Sequence, residues 1–127
     1  MTETRSAMRL GLRIEALAVF CAATALFWRL DGSWTFYLIF FFTPDVALAG
    51  YLVGNRAGAW AYNAAHSTVG PLALGIAAMV FDSSMAVALA LIWLAHIGFD
   101  RALGYGLKYE SGFKDTHLGR IGGNSPA

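Results

Sequence analysis

Ser84-Met-Ala-Val-Ala-Leu-Ala-Leu-Ile-Trp93-Leu-Ala-His96-Ile-Gly-Phe-Asp100-Arg-Ala-Leu-Gly-Tyr-Gly-Leu107 decides the fold. It is apolar for about the 20 residues that a helix needs to cross a hydrocarbon core roughly 30 Å thick. Yet it carries an imidazole and a carboxylate. Working outward, the sequence predicts three more such runs: about Leu10 to Leu30, Trp34 to Val53, and Ala57 to Phe81. The links between them, Asp31-Gly-Ser33, Gly54-Asn-Arg56 and Asp82-Ser83, are very short. Short links force neighbouring helices antiparallel. The expected fold is therefore an all-α membrane protein, an antiparallel four-helix transmembrane bundle over residues 1–107. A short polar tail, 108–127, follows. No stretch is left for a second domain.

Composition agrees. Of 127 residues, 57% are hydrophobic and 13% charged, and the apolar residues are blocked rather than periodic. A soluble domain of this length would need more polar surface. The net charge of +1 gives no footprint for nucleic acid. Cys21 is the single cysteine, which excludes an internal disulfide; a buried inert thiol is expected. Arg5, Arg9 and Arg13 before an apolar run resemble a secretory signal. Glu15 fits poorly in the apolar part of such a signal, however, and Trp28-Arg29-Leu30 reads as an interfacial helix end.

Charge placement sets the expected orientation. With a cytoplasmic N-terminus, Arg5, Arg9, Arg13, Arg56, Arg101, Lys108, Lys114 and Arg120 all fall on the cytoplasmic side, and Arg29 alone falls opposite. This is a positive-inside bias. It predicts a multi-pass protein of the cytoplasmic (inner) membrane with both termini in the cytoplasm.

Ionisable groups inside a span are expensive and mark functional sites by default. Glu15, Asp45, Asn63, His66, His96 and Asp100 all lie within the apolar runs. Helix rise puts Glu15 about 8 Å, Asp100 about 10 Å, Asp45 and His66 about 14 Å, and His96 about 16 Å from the cytoplasmic ends. Four runs thus place polar groups in one layer. Asn63, His66, Ser67 and Gly70 share a helical stripe, as do Trp93, His96, Asp100 and Gly104. Pro44 and Pro71 each free a carbonyl near the layer, at Phe40 and Ser67. The tail emerges on the same face and could fold over it as a lid.

Imidazoles and carboxylates together suit zinc or another divalent metal. The expected ligands are His66, His96 and Asp100, with His117 as an addition and Asp45 as catalytic base. Glu15, Tyr62, Asn63, Ser67, Arg101, Lys114 and Asp115 would line the pocket or support the ligands, with Arg101 or Lys114 meeting a headgroup. Such a centre suits metal-assisted hydrolysis of a lipid-like amide or ester drawn from the bilayer. Three other readings stay open. His66 and His96 could clamp a haem, the acidic groups could relay protons or ions in a small, oligomeric transporter, or the polar network could be inert scaffolding. Small residues at Gly50, Gly54, Gly58, Ala57, Ala61 and Ala65 permit close helix contact, though turns explain Gly54 and Gly58 as well.

Several segments resemble a known family: Thr43-Pro-Asp45, Ala61-Tyr-Asn-Ala-Ala-His66, Ala95-His-Ile-Gly-Phe-Asp-Arg101, Gly104-Tyr-Gly-Leu-Lys-Tyr109 and Gly112-Phe-Lys-Asp-Thr-His-Leu-Gly-Arg120. Together they make the chain, from about Leu10 to Gly122, similar to a family of small bacterial membrane proteins, domain of unknown function 4260. The resemblance implies a membrane location and a shared role for these polar positions. It implies no activity.

Overall fold

The structure, a computed structural model, describes residues 2–105, with side chains from residue 3, and the backbone at 115–116 and 119–120. Five α-helices and one 3-10 segment make up the body: α1 (Thr2–Arg29), α2 (Trp34–Phe41), the 3-10 segment (Thr43–Leu52), α3 (Asn55–His66), α4 (Val69–Val80) and α5 (Ser84–Ala102). Beyond them, a minimal antiparallel ladder pairs Asp115 with Arg120 and Thr116 with Gly119.

Three stretches are long and apolar enough to cross a membrane: Glu3–Arg29, Trp34–Leu52 and Ser84–Ala102. Their outward faces, and that of the shorter apolar α4, carry bare apolar side chains, among them Leu10, Ile14, Leu26, Leu38 and Ile39, with Leu72 and Ile76 on α4. In water such a collar would be a large exposed patch; in a bilayer it is the ordinary lipid-facing surface. Cys21 is on this outer surface too, so the expected burial of its thiol is corrected.

Helix ends follow local chemistry. Asp31 and Asp82 take positive φ (58° and 52°) just past α1 and α4, the left-handed stop that Asp tolerates better than most residues. Ser33 and Ser83 then cap the next helices, accepting hydrogen bonds from the N–H of Phe36 (3.4 Å) and Ala86 (3.2 Å). Two of the three expected short links are thus tight turns with a stop and a start built in.

The third expected run does not form one helix. Residues 57–81 divide into the end of α3 and all of α4, because Ser67 is extended (ψ 141°). In an unbroken helix the ring of Pro71 would strike the carbonyl of Ser67, four residues back. Breaking the chain at Ser67 removes that clash and leaves Pro71 in the first turn of α4, where no N–H is required. The second run also changes character, from α-helix to 3-10 at Thr43-Pro44. Both interruptions flank the polar layer. The fourth run stops as a helix at Ala102, before the expected Leu107.

Helices meet through small residues, as expected where lipid is as apolar as leucine and association rests on close packing. α1 crosses α5 at Gly98, where an added Cβ would lie 2.8 Å from the Ala16 carbonyl oxygen and the Phe20 nitrogen. The 3-10 segment packs on α3 through Gly50, whose Cβ would stand 2.9 Å from that of Ala61. Gly54 serves the turn between them, with φ 156° and ψ 169°, a conformation almost confined to glycine. Phe27, Tyr37, Phe41 and Ile92 fill the core between α1, α2 and α5. Thr24 and Tyr37 share a 2.8 Å hydrogen bond across it.

Candidate metal centre

Four side chains converge where the two interrupted runs meet α5. Asp45 comes from the start of the 3-10 segment, His66 is the last residue of α3, and His96 and Asp100 lie one turn apart on α5. Their inward atoms form a tight cluster. His66 Nε2 stands 3.1 Å from His96 Nε2, 3.2 Å from Asp45 Oδ1 and 3.2 Å from Asp100 Oδ2. His96 Nε2 stands 3.2 Å from Asp45 Oδ1 and 3.1 Å from Asp100 Oδ2. All four atoms lie within 4.8 Å of one another.

Those edges carry a metric meaning. Tetrahedral zinc with bonds of roughly 2.0–2.2 Å holds its ligand atoms about 3.3–3.6 Å apart. Five of the six edges here, at 3.1–3.2 Å, are near that spacing, and the sixth, between the two carboxylate oxygens, is no longer than 4.8 Å.

Tautomer chemistry points the same way. His66 Nδ1 lies 2.9 Å from the carbonyl of Tyr62; a carbonyl only accepts, so this nitrogen carries the proton. With that ring neutral, Nε2 turns a lone pair toward two carboxylates and a second imidazole, an arrangement that a cation at the shared point, a metal ion or a proton on an imidazole, would satisfy. His96 Nδ1 is buried without a hydrogen-bond partner among the described residues. Its ring is steadied by Phe41 and Phe42 instead, edge-on at 5.1 and 6.5 Å between centroids. Tyr62 lies flat on the His66 ring, 3.8 Å away and 8° from parallel.

The break after His66 is itself made part of the centre. Ending α3 there leaves its last carbonyls without helical partners. Trp93 Nε1 donates to the Ala65 carbonyl, and Arg101 Nη2 donates to that of His66 at 3.3 Å. Both donors sit on α5, so the helix that supplies His96 and Asp100 also fixes the backbone presenting His66. Ser67 Oγ accepts from the N–H of Val69 (3.3 Å), turning the chain into α4.

Exposure gives the centre a direction. The side chains of His96 and His66 are 1% and 4% exposed, Asp100 16% and Asp45 38%. The open edge is at Asp45.

Of the sequence candidates, His66, His96 and Asp100 come together as expected. Asp45, expected as a base, stands at ligand distance like the other three. Tyr62 and Arg101 support His66, and Ser67 shapes the turn rather than the cluster. Asn63 lies on α3 half-buried, outside the four-residue set. Glu15 is exposed on α1 and lines a separate recess of about 130 Å³ with Thr68 and Arg101. Lys114, His117 and the lid over 108–127 lie outside the described residues, as does the side chain of Asp115. Trp93 was legible only as part of a stripe; its indole donor had no sequence signal. The haem reading does not suit the geometry, since axial imidazoles approach iron from opposite faces, and 3.1 Å between nitrogens leaves no room for a macrocycle.

Residues 9–121 match the model of a family described as a domain of unknown function, DUF4260. That is most of the chain, and the chain belongs to this family. No curated protein and no solved structure matches it.

Proposed function

We propose that this member of the DUF4260 family is a membrane-embedded zinc hydrolase, holding its ion with Asp45, His66, His96 and Asp100 and cleaving a lipid-like amide or ester. The observation that supports it best is the convergence of two imidazole nitrogens and two carboxylate oxygens, with five of their six spacings at 3.1–3.2 Å, near what tetrahedral zinc needs. His66, His96 and Asp100 are the permanent ligands. Asp45, the most exposed and the only one carried by a 3-10 segment, is the exchangeable one. Were zinc bound, Asp45 could leave it to admit water, and its carboxylate would then serve as the base for that water, joining the roles of ligand and base. Bound zinc lowers the pKa of such a water towards neutrality and polarises the scissile carbonyl.

The protein lies in the cytoplasmic membrane with both termini inside, α3 and α4 together making a fourth, broken crossing, by the bias of Arg5, Arg9, Arg13, Arg56 and Arg101 against Arg29. The metal centre then opens toward the inner leaflet, where lipid substrates reach it by lateral diffusion. The paired interruptions of two spans favour one rival, an ion-passage role in which the metal is cargo.

Purified protein in mixed micelles, assayed for release of fatty acid from ester and amide lipids, distinguishes them. Turnover that a chelator abolishes and zinc restores supports hydrolysis. Zinc uptake into proteoliposomes without any lipid turnover would replace it with transport.

A further inference from the structure

We infer that the apolar recess beside the metal centre holds a single acyl chain of a membrane lipid, so that the substrate is a lipid whose labile bond directly follows an unsubstituted hydrocarbon chain. This rests on the hydrolytic reading above for the bond that is cut, though not for the chain being bound.

The recess, about 230 Å³, is walled by Phe40, Pro44, Ala65, Leu74, Leu89 and Trp93, which come from all the elements that surround the cluster except α1. None of the four cluster residues lines the recess, but three of its walls neighbour them along the chain. Pro44 precedes Asp45, Ala65 precedes His66, and Trp93 lies one turn before His96 on the same face of α5. A chain lying here would run within a residue or a helical turn of the cluster.

Chemistry selects the occupant. The indole N–H of Trp93 is already given to the Ala65 carbonyl. The one other polar side chain in the lining is Thr43, which is exposed at the edge. A headgroup, sugar or peptide would leave its polar atoms unpaired in such a site, which is costly. Size agrees, because 230 Å³ falls below the roughly 300–1,000 Å³ of pockets for whole drug-sized ligands and matches a chain segment. Phe40 is exposed and the other walls are half-buried, so the recess is open to the outside. Beside it on α2 and α4 are the bare outward side chains Leu38, Ile39, Leu72 and Ile76. The recess is continuous with the lipid-facing surface, and the bilayer's own chains are what reaches it.

The test uses the full chain in vesicles of phosphatidylcholine doped with phosphatidylcholine bearing a diazirine near the end of one acyl chain. After irradiation, labelled positions are mapped by peptide mass spectrometry, and zinc is measured in the same samples. Labelling at Leu74 and Leu89 should exceed that at the outward Leu72 and Ile76 several-fold. Filling the recess with Leu89→Trp, or more mildly with Leu74→Phe, should remove the excess and leave the zinc content unchanged. Labelling that is uniform over recess and outward positions, or indifferent to both substitutions, overturns the inference. Selective labelling in protein that binds no zinc would keep the chain site and discard the hydrolytic reading, so the two claims fail separately.

Discussion

At the scale of single residues, the metal-binding capacity of the cluster turns on which way lone pairs face. The Tyr62 carbonyl holds a proton of His66 on Nδ1, which leaves Nε2 of the neutral ring free to bind a metal. A second proton on Nε2 would instead make the same four side chains an ordinary hydrogen-bonded network. His66→Ala and His96→Ala should each abolish stoichiometric zinc, measured by elemental analysis of purified protein. Asp45→Asn removes the exposed ligand, and should weaken zinc without abolishing it while stopping turnover. Trp93→Phe keeps the ring but loses the donor that holds the Ala65 carbonyl. It should weaken zinc by about 10–100-fold, as changes just outside a ligand shell do, and competition with a chelator of known affinity would show this. Unchanged affinity in Trp93→Phe would mean that the α3 terminus does not depend on that bond. That Asp45, His66, His96 and Asp100 share one level was legible because helix rise is fixed. The approach of Asp45 to within 3.2 Å of both imidazoles was not, because a side chain at the start of a 3-10 segment has no stripe from which its direction can be read.

At the scale of elements, the close crossing of α1 and α5 is the most constrained contact. Gly98 meets backbone atoms of Ala16 and Phe20, which cannot turn aside as a side chain would. Gly98→Ala should therefore destabilise the folded protein by about 1–3 kcal/mol, the usual cost of overpacking, seen as earlier thermal unfolding in detergent. Gly11→Ala, with nothing within 4 Å of the new methyl, should be neutral or slightly stabilising and serves as its control. Equal effects would mean that the crossing is looser than described. Arg13 secures the same pair of helices, donating to the Ala102 carbonyl at 2.8 Å where a cation favours a helix C-terminus. The blocked apolar runs told where helices lie but not that two of them break. Pro71 was the available signal, and it reads as a kink until Ser67, four residues earlier, is seen to be extended. Glu15 shows the opposite failure. Its depth matched the layer, but α1 buries Ala16, Ala23 and Phe27, and that phase turns Glu15 off the packed face.

At the scale of the whole molecule, the metal would act as a cross-link. It ties the 3-10 segment and α3 to α5, elements joined otherwise by a few hydrogen bonds and small-residue contacts. Zinc at about one hundred times its dissociation constant should stabilise the fold by about 2.7 kcal/mol over the metal-free protein. Thermal unfolding with and without a chelator measures that difference. Acid should oppose it. Imidazole and carboxylate ligands must be deprotonated to bind, so protons compete with the ion and retention should fall as the pH is lowered. The stabilisation by zinc should shrink in parallel, whereas a metal-independent polar network would show no such coupling.

X-ray absorption at the zinc edge, on purified protein reconstituted with one equivalent of zinc, tests the central claim most directly. Four light scatterers, nitrogen or oxygen, at about 2.0–2.1 Å with an imidazole signature in the outer shells are the predicted result. A six-coordinate shell of water-like oxygens without imidazole, or protein that retains no zinc on desalting, would contradict it.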